Sequence, residues 1–314
     1  MTVFAFGEKA VKEDALKWTD LIDESKSNFR VARAAYTDHS IFEIEMQNIF
    51  EANWVYICHE SQIPKIGNYY SAKIGRQPVF VIRQNSNEIG GFVDACSHRG
   101  ATLSRTRRGS MKTITCRFHG WCFDLKGRCT KIKEEEVGWP SGVEKNKFNL
   151  KSLARVKNYK GFIYVSLKEP PQELEDFLGE AKYFIDLLAE QSPLGMEIVP
   201  GTQSYMVRGN WKLQAENGVD GYHVSTVHRV FARAMAKRES AEVSGYMRKT
   251  EAARITGSTP TGVSDLGGGH MLLWAERGNP EVAPLAEQRS SLLKIFDASF
   301  FDCDSLTPSR LISL

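Results

Sequence analysis

Cys96-Ser97-His98-Arg99-Gly100 and, after 17 residues that follow His98, Cys116-Arg117-Phe118-His119-Gly120-Trp121 decide how this chain is read. Each stretch offers one thiol and one imidazole two or three residues apart, where a β-rich run gives way to a loop. Such loops let backbone amides point at whatever the four side chains hold. Two thiolates with two imidazoles suit a tetrahedral zinc ion. They equally suit a [2Fe–2S] cluster in which two histidines replace two cysteines on one iron. Zinc fingers usually pair Cys with Cys and His with His, whereas here each loop supplies one of each, so each iron of a binuclear cluster can draw on both loops. That distribution favours the cluster, with zinc as the alternative.

The flanking sequence predicts a small antiparallel sheet domain over residues 53–167. Short β-rich runs (YYSAKIG, QPVFVIRQ, GGFVDA, MKTITC, WCFDL, GFIYVSL) alternate with Asn, Ser, Gly and Lys turns. Upstream, residues 1–52 read as a helical part: 9–36 are charged and helix-prone, and Ser40-x-x-Glu43 reads as a capping box. Phe42, Met46, Ile49 and Phe50 would form the inner face of a helix reaching about Ala52. Downstream, Leu174, Phe177, Leu178, Ala181, Phe184, Ile185 and Leu188 predict one amphipathic helix. MEIVPGTQSYMV (196–207) then reads as a β-run leading into GNWKLQAENGVDGYHVSTVH, read as a helix. Residues 168–314 form the second functional part. The fold class expected is α+β.

Composition narrows the function. Of 314 residues, 41 are Lys or Arg and 38 Asp or Glu, a net +3 that points away from nucleic acid. No apolar run is long enough to span a membrane and no secretory signal opens the chain, so the expected place is the cytoplasm. Cysteines there are thiols or ligands. Cys58, Cys122, Cys129 and Cys303 read as small buried hydrophobes. His39, His59 and His270 read as ordinary structural or surface histidines.

A second constellation lies in Glu216-Asn217-Gly218-Val219-Asp220-Gly221-Tyr222-His223-Val224-Ser225-Thr226-Val227-His228. Glu216, Asp220 and His223 would share one helical face. His228 falls about 140° round an ideal helix from His223. One metal can take both only across a π-turn or a helix break, which Gly218 and Gly221 ease. Two imidazoles and a carboxylate on one face of an octahedron is the donor set of non-haem Fe(II) oxygenases.

Together these motifs resemble the large (α) subunits of the Rieske ring-hydroxylating dioxygenases, the benzoate, 2-halobenzoate and anthranilate 1,2-dioxygenase group above all. FEANWVYICHESQIP, ACSHRGATL, FHGW, FLGE and GHMLLWAERGNPE carry the likeness from about residue 30 to about 295. The resemblance implies a Rieske domain inserted in a helix-grip catalytic domain. It implies a cluster on Cys96, His98, Cys116 and His119, and mononuclear Fe(II) on His223 and His228. Asp220 would hydrogen-bond an iron-binding histidine and a cluster histidine of the adjacent subunit. Asn217 would line the pocket, with Arg208 a weaker candidate for holding the substrate carboxylate. NADH electrons would arrive through a separate flavin and iron–sulfur reductase. A small aromatic acid would take up O2 as a cis-diol. The assembly would be α3, or α3β3 with a small β subunit. A salicylate-type ring monooxygenase and a pure electron carrier are the rival readings.

Respiratory Rieske proteins carry a hydroxyl donor beside the cluster where this chain has Trp121, so a potential low in the Rieske range is expected. In the family the third iron ligand is an Asp well downstream of the histidines. Asp297, Asp302 and Asp304 stand in no such context, and the ending reads as a truncated or shifted frame. Loss of the carboxylate strand would leave iron charge uncompensated, and activity would suffer.

Overall fold

The computed structural model describes residues 21–25, 28–190, 192, 194–230 and 261–275. A hairpin of β1 (Ile22–Ser25) and β2 (Asn28–Val31) comes first, followed by α1 (Ala34–Thr37) and α2 (His39–Glu45). A π-turn, Met46–Phe50, closes this segment. The helix-prone reading of 9–36 is thus corrected at the hairpin, where Phe29 and Val31 suit extended pairing.

The capping box is corrected too. Asp38, extended at φ −81° and ψ 124°, is the N-cap, and its carboxylate accepts from the Ser40 amide at 2.7 Å. Ser40 donates its own hydroxyl to that carboxylate, and Glu43 pairs with Arg76 instead. An ionised cap one residue before the helix outcompetes a hydroxyl inside it. The inner face is Ile41, Glu45 and Met46, while Ile49 is exposed, because the π-turn rotates the last turn.

Four antiparallel strands build the next sheet, in the order β6-β5-β4-β7. They follow β3 (Val55–His59) and are β4 (Asn68–Ile74), β5 (Gln77–Arg83), β6 (Ile89–Val93) and β7 (Arg108–Ser110). Strand alternation sorts β5 to two cores. Phe80 and Ile82 enter the one that holds Cys96, Cys116, Trp121 and Phe123. Val79 and Val81 enter the one that holds Ile57, Ile63, Ile163 and Val165. All four are fully buried, so this run is the central layer between two cores.

A three-stranded sheet, ordered β10-β9-β8, carries the second cysteine loop. Its strands are β8 (Ile114–Thr115), β9 (Cys122–Phe123) and β10 (Cys129–Lys131). After α3 (Glu135–Gly138), β11 (Arg155–Tyr159) and β12 (Phe162–Ser166) join β3 in the order β11-β12-β3.

The predicted 174–188 helix is two helices, α4 (Leu174–Leu178) and α5 (Ala181–Ala189). Gly179 breaks them at φ 48° and ψ −129°, a conformation closed to residues with a Cβ. Leu174, Leu178 and Ile185 still pack as the periodicity requires, on Trp54 and Phe162. The 196–207 run forms no strand; Tyr205, Met206 and Val207 are exposed, and no described strand pairs with them. The predicted long helix is α6 (Trp211–Val219), then a break, then α7 (Val224–Val227). A hairpin of β13 (Thr261–Asp265) and β14 (Met271–Ala275) ends the described chain. No described helix is long and apolar enough to cross a membrane.

Candidate functional site

The two cysteine loops are built alike. Cys96 N donates to Ala101 O at 2.8 Å and Gly100 N to Cys96 O at 2.8 Å. Cys116 N donates to Trp121 O at 2.9 Å and Gly120 N to Cys116 O at 3.0 Å. Gly100 and Gly120 both sit at positive φ, 77° and 72°, which closes each loop on its cysteine. Buried Asp94 ties the ends of the first loop, accepting from the Leu103 and Ser104 amides at 2.9 Å each.

Both thiols are buried and both imidazoles half-buried, so the set opens outward through His98 and His119. The imidazoles meet with Nδ1 atoms 3.1 Å apart. Two nitrogens bound about 2.1 Å from one ion at roughly 90–110° stand about 3.0–3.4 Å apart, so the geometry fits one shared iron. Burial, reinforced by the neighbouring Cys116 thiol, pushes the Cys96 thiol up to about 11, opposed by the His98 and Arg99 amides that point at its sulfur. Burial and the facing His119 hold His98 below its ordinary value, keeping it neutral and able to ligate. Trp121 stacks on His98, 4.6 Å between centroids and 13° between planes. The loop's own hydroxyl, Ser97 Oγ, donates to Phe148 O at 2.6 Å and so is turned away from the sulfurs.

The second constellation is not one helical face, because α6 stops at Val219. Asp220 caps it in an extended conformation, φ −89° and ψ 103°, so the i, i+4, i+7 alignment of Glu216, Asp220 and His223 is corrected. The break has the consequence that the spacing demanded. His223 Nε2 and His228 Nε2 lie 3.2 Å apart, again the separation of two ligands on one ion. Asp220 Oδ2 accepts from His223 Nδ1 at 2.9 Å, and Oδ1 accepts from the Tyr222 amide at 2.7 Å. These bonds, the one to His223 foremost, hold the Asp220 carboxyl below the usual carboxylate range.

Glu216 takes no part in that cluster. Its Oε1 accepts from Tyr36 OH at 2.7 Å. Asn217 lies on the exposed side of α6, and no hydrogen bond joins its side chain to a described residue. Arg208 is exposed in the segment before α6. Among the described residues no third His, Cys, Asp or Glu completes a metal site around His223 and His228. Asp297, Asp302, Asp304 and Cys303 lie outside the described residues. The other histidines serve structure or surface: His59 is buried and accepts from the Ser61 amide, His270 Nε2 bonds Phe177 O at 2.7 Å, and His39 is exposed.

Sequence reasoning missed the contacts that seat α6. Trp211 Nε1 donates to Glu45 Oε2 at 2.8 Å, Lys212 bonds the same carboxylate, and Asn210 Nδ2 donates to Tyr36 O at 3.1 Å. The available signal was Glu45, an acid among the apolar residues of its helix.

Comparison with known proteins agrees with this geometry. A family model described as the Rieske [2Fe-2S] domain matches residues 53–157. One described as the ring hydroxylating alpha subunit (catalytic domain) matches 197–292. The toluate 1,2-dioxygenase subunit alpha of Pseudomonas putida is 42% identical over 276 residues, 87% of this chain and 61% of that one. The 2-halobenzoate 1,2-dioxygenase large subunit of Burkholderia cepacia is 37% identical, over 86% of this chain and 58% of that one. Among solved structures, naphthalene 1,2-dioxygenase from Rhodococcus sp. bound to indole superposes with a TM-score of 0.66 at 28% identity, covering 79% of this chain and 53% of that one. The chain spans about three fifths of the length of the curated relatives it matches.

Proposed function

The chain belongs to the Rieske ring-hydroxylating α subunits, and from that membership we propose that it acts as the terminal component of an aromatic-acid dioxygenase. The substrate class is a benzoate-like carboxylate, in line with the toluate and 2-halobenzoate names of its relatives. The observation that carries the reading is the double convergence of imidazole nitrogens, 3.1 Å at His98–His119 beside buried Cys96 and Cys116, and 3.2 Å at His223–His228.

When bound, the cluster supplies single electrons and the Fe(II) supplies the O2 chemistry that adds both oxygen atoms to the ring as a cis-diol. The residues contribute the rest. Cys96 and Cys116 would ligate the cluster as thiolates, and the core around them would keep water from the sulfurs. His98 and His119 would supply the two imidazole ligands through the Nδ1 atoms that meet at 3.1 Å. Asp220 keeps the His223 proton on Nδ1, which leaves the Nε2 lone pair directed at the point that His228 Nε2 also faces. Asn217 is assigned to the pocket wall by its place in the motif. NADH electrons reach the cluster through a flavin and iron–sulfur reductase, and the assembly is α3 or α3β3. The free thiols of the described residues suit a cytoplasmic protein.

The test supplies the chain with reductase, β subunit, benzoate analogues and isotopically labelled O2. The proposal expects a diol carrying two labelled atoms. One labelled atom would transfer the chain to the ring-monooxygenase reading. Electron uptake without any oxygenated product would leave a Rieske electron carrier.

A further inference from the structure

We propose that Glu45 and Tyr36 are positioning residues for the His223–His228 pair and act through α6; the inference rests on reading that pair as a metal site. None of the residues of α6 is fully buried, and the helix rests against β14 and, through Trp211, on Phe50. Its register is set by a row of polar contacts to residues 36–45. At its start, Asn210 Nδ2 donates to Tyr36 O at 3.1 Å, Trp211 Nε1 to Glu45 Oε2 at 2.8 Å, and Lys212 Nζ to Glu45 Oε1. One turn on, Tyr36 OH donates to Glu216 Oε1 at 2.7 Å. Lys212 and Glu216 are four apart and share a face, and Asp220, which closes the helix and holds His223, comes one turn later.

The π-turn makes the grip. Glu45 and Phe50 would lie about 140° apart on an α-helix. The wide turn, with Glu51 N donating to Met46 O at 2.9 Å, lets both reach Trp211. Phe50 meets the indole edge-on at 5.1 Å between centroids, while Glu45 takes its N–H. The Glu45 side chain is only 8% exposed. A buried carboxylate is costly unless every partner is in place, and this is how a buried ion pair specifies register more than it adds stability. One register of α6 satisfies Glu45 through both Trp211 and Lys212. Any slide of the helix leaves the charge unpaired and moves Asp220 and His223 with it.

The test uses the cluster-loaded 314-residue chain and Co(II) as the probe. Binding is measured by anaerobic equilibrium dialysis, with His223→Ala defining the site. Glu45→Gln and Lys212→Met should each weaken His223-dependent Co(II) binding about 10-fold, the scale of losing a supporting contact to a metal ligand. The double variant should be no worse than either single one. Lys212→Arg should restore binding. Tyr36→Phe, which removes one hydroxyl, should cost several-fold and carries the test alone if the Glu45 variants fail to fold. Cluster absorption and spin resonance should stay as in the unsubstituted chain. Unchanged Co(II) affinity in Tyr36→Phe and Glu45→Gln would overturn the proposal, as would strictly additive losses in the double variant. If the unsubstituted chain showed no His223-dependent Co(II) binding, the metal reading itself would fall and take the proposal with it.

Discussion

Replacing Asp220 separates charge from shape at the second site. Asp220 makes two contacts, from the Tyr222 amide at 2.7 Å and with His223 Nδ1 at 2.9 Å. Asp220→Asn keeps an oxygen for one of them and removes the charge. The turn after α6 survives through the retained oxygen, while His223 Nδ1 loses its carboxylate acceptor and with it the preference for a proton on Nδ1. Asp220→Ala removes both contacts, so the turn is freed as well and the 3.2 Å approach of His223 and His228 is no longer imposed. Supporting carboxylates beside metal-binding histidines are worth roughly 10–100-fold in affinity. The asparagine variant should therefore lie near 10-fold weaker for Fe(II), and the alanine variant near 100-fold. Anaerobic Fe(II) titration against a competing chelator reads this directly. Cluster absorption is the internal control, because Asp220 makes no contact with the cysteine loops within the described chain. Equal Fe(II) affinity in all three proteins would refute the claim that Asp220 orients a ligand.

Three further outcomes follow from particular contacts. Gly100→Ala places a Cβ at φ 77° with no neighbour within 4 Å, so the cost is backbone strain alone, about 1–2 kcal/mol by urea unfolding. Gly100→Asn should cost less, since Asn tolerates that region. Ser97→Ala should leave the cluster potential unchanged, because the hydroxyl donates to Phe148 O; protein-film voltammetry checks it, and the parent value should lie towards the low end of the Rieske range, about −150 mV. Glu51 is held below its ordinary 4.5 first by its hydrogen bond with Arg76, opposed by burial. A depressed carboxyl stabilises the fold above its unfolded pKa and loses that contribution as pH falls through the lower folded value. Glu51→Gln should thus be less stable than the parent near neutrality, and the gap should close below about pH 4.5 in denaturant titrations across pH.

Local patterns in the sequence carried the cluster half far. Turn-bounded apolar runs anticipated β4, β5, β6, β8, β9 and β12 but not β7, β10 or β11, and the pairing of Cys with His in both loops singled out two imidazoles whose Nδ1 atoms meet. The catalytic half was legible as chemistry but less so as shape. Periodicity ran straight through Gly179 and Asp220, because a hydrophobic stripe does not register a single residue that leaves helical φ/ψ. The stretch 196–207 has strand-like composition, yet strand propensity is realised only against a partner, and the described residues provide none. The grip on α6 was invisible for a different reason. Tyr36 and Glu45 lie some 166–180 residues from their partners, and no local pattern encodes a contact at that range.

The central claim is that one chain holds a histidine-bearing cluster and a separate iron. Iron and acid-labile sulfide assay, paired with spin resonance on the anaerobically reconstituted chain and its His223→Ala variant, tests it most directly. The account predicts two irons and two sulfides per chain with a Rieske signal in both proteins. A third iron should be present in the parent and absent from the variant. A protein that binds zinc, lacks sulfide, or holds the same iron in both forms would contradict it.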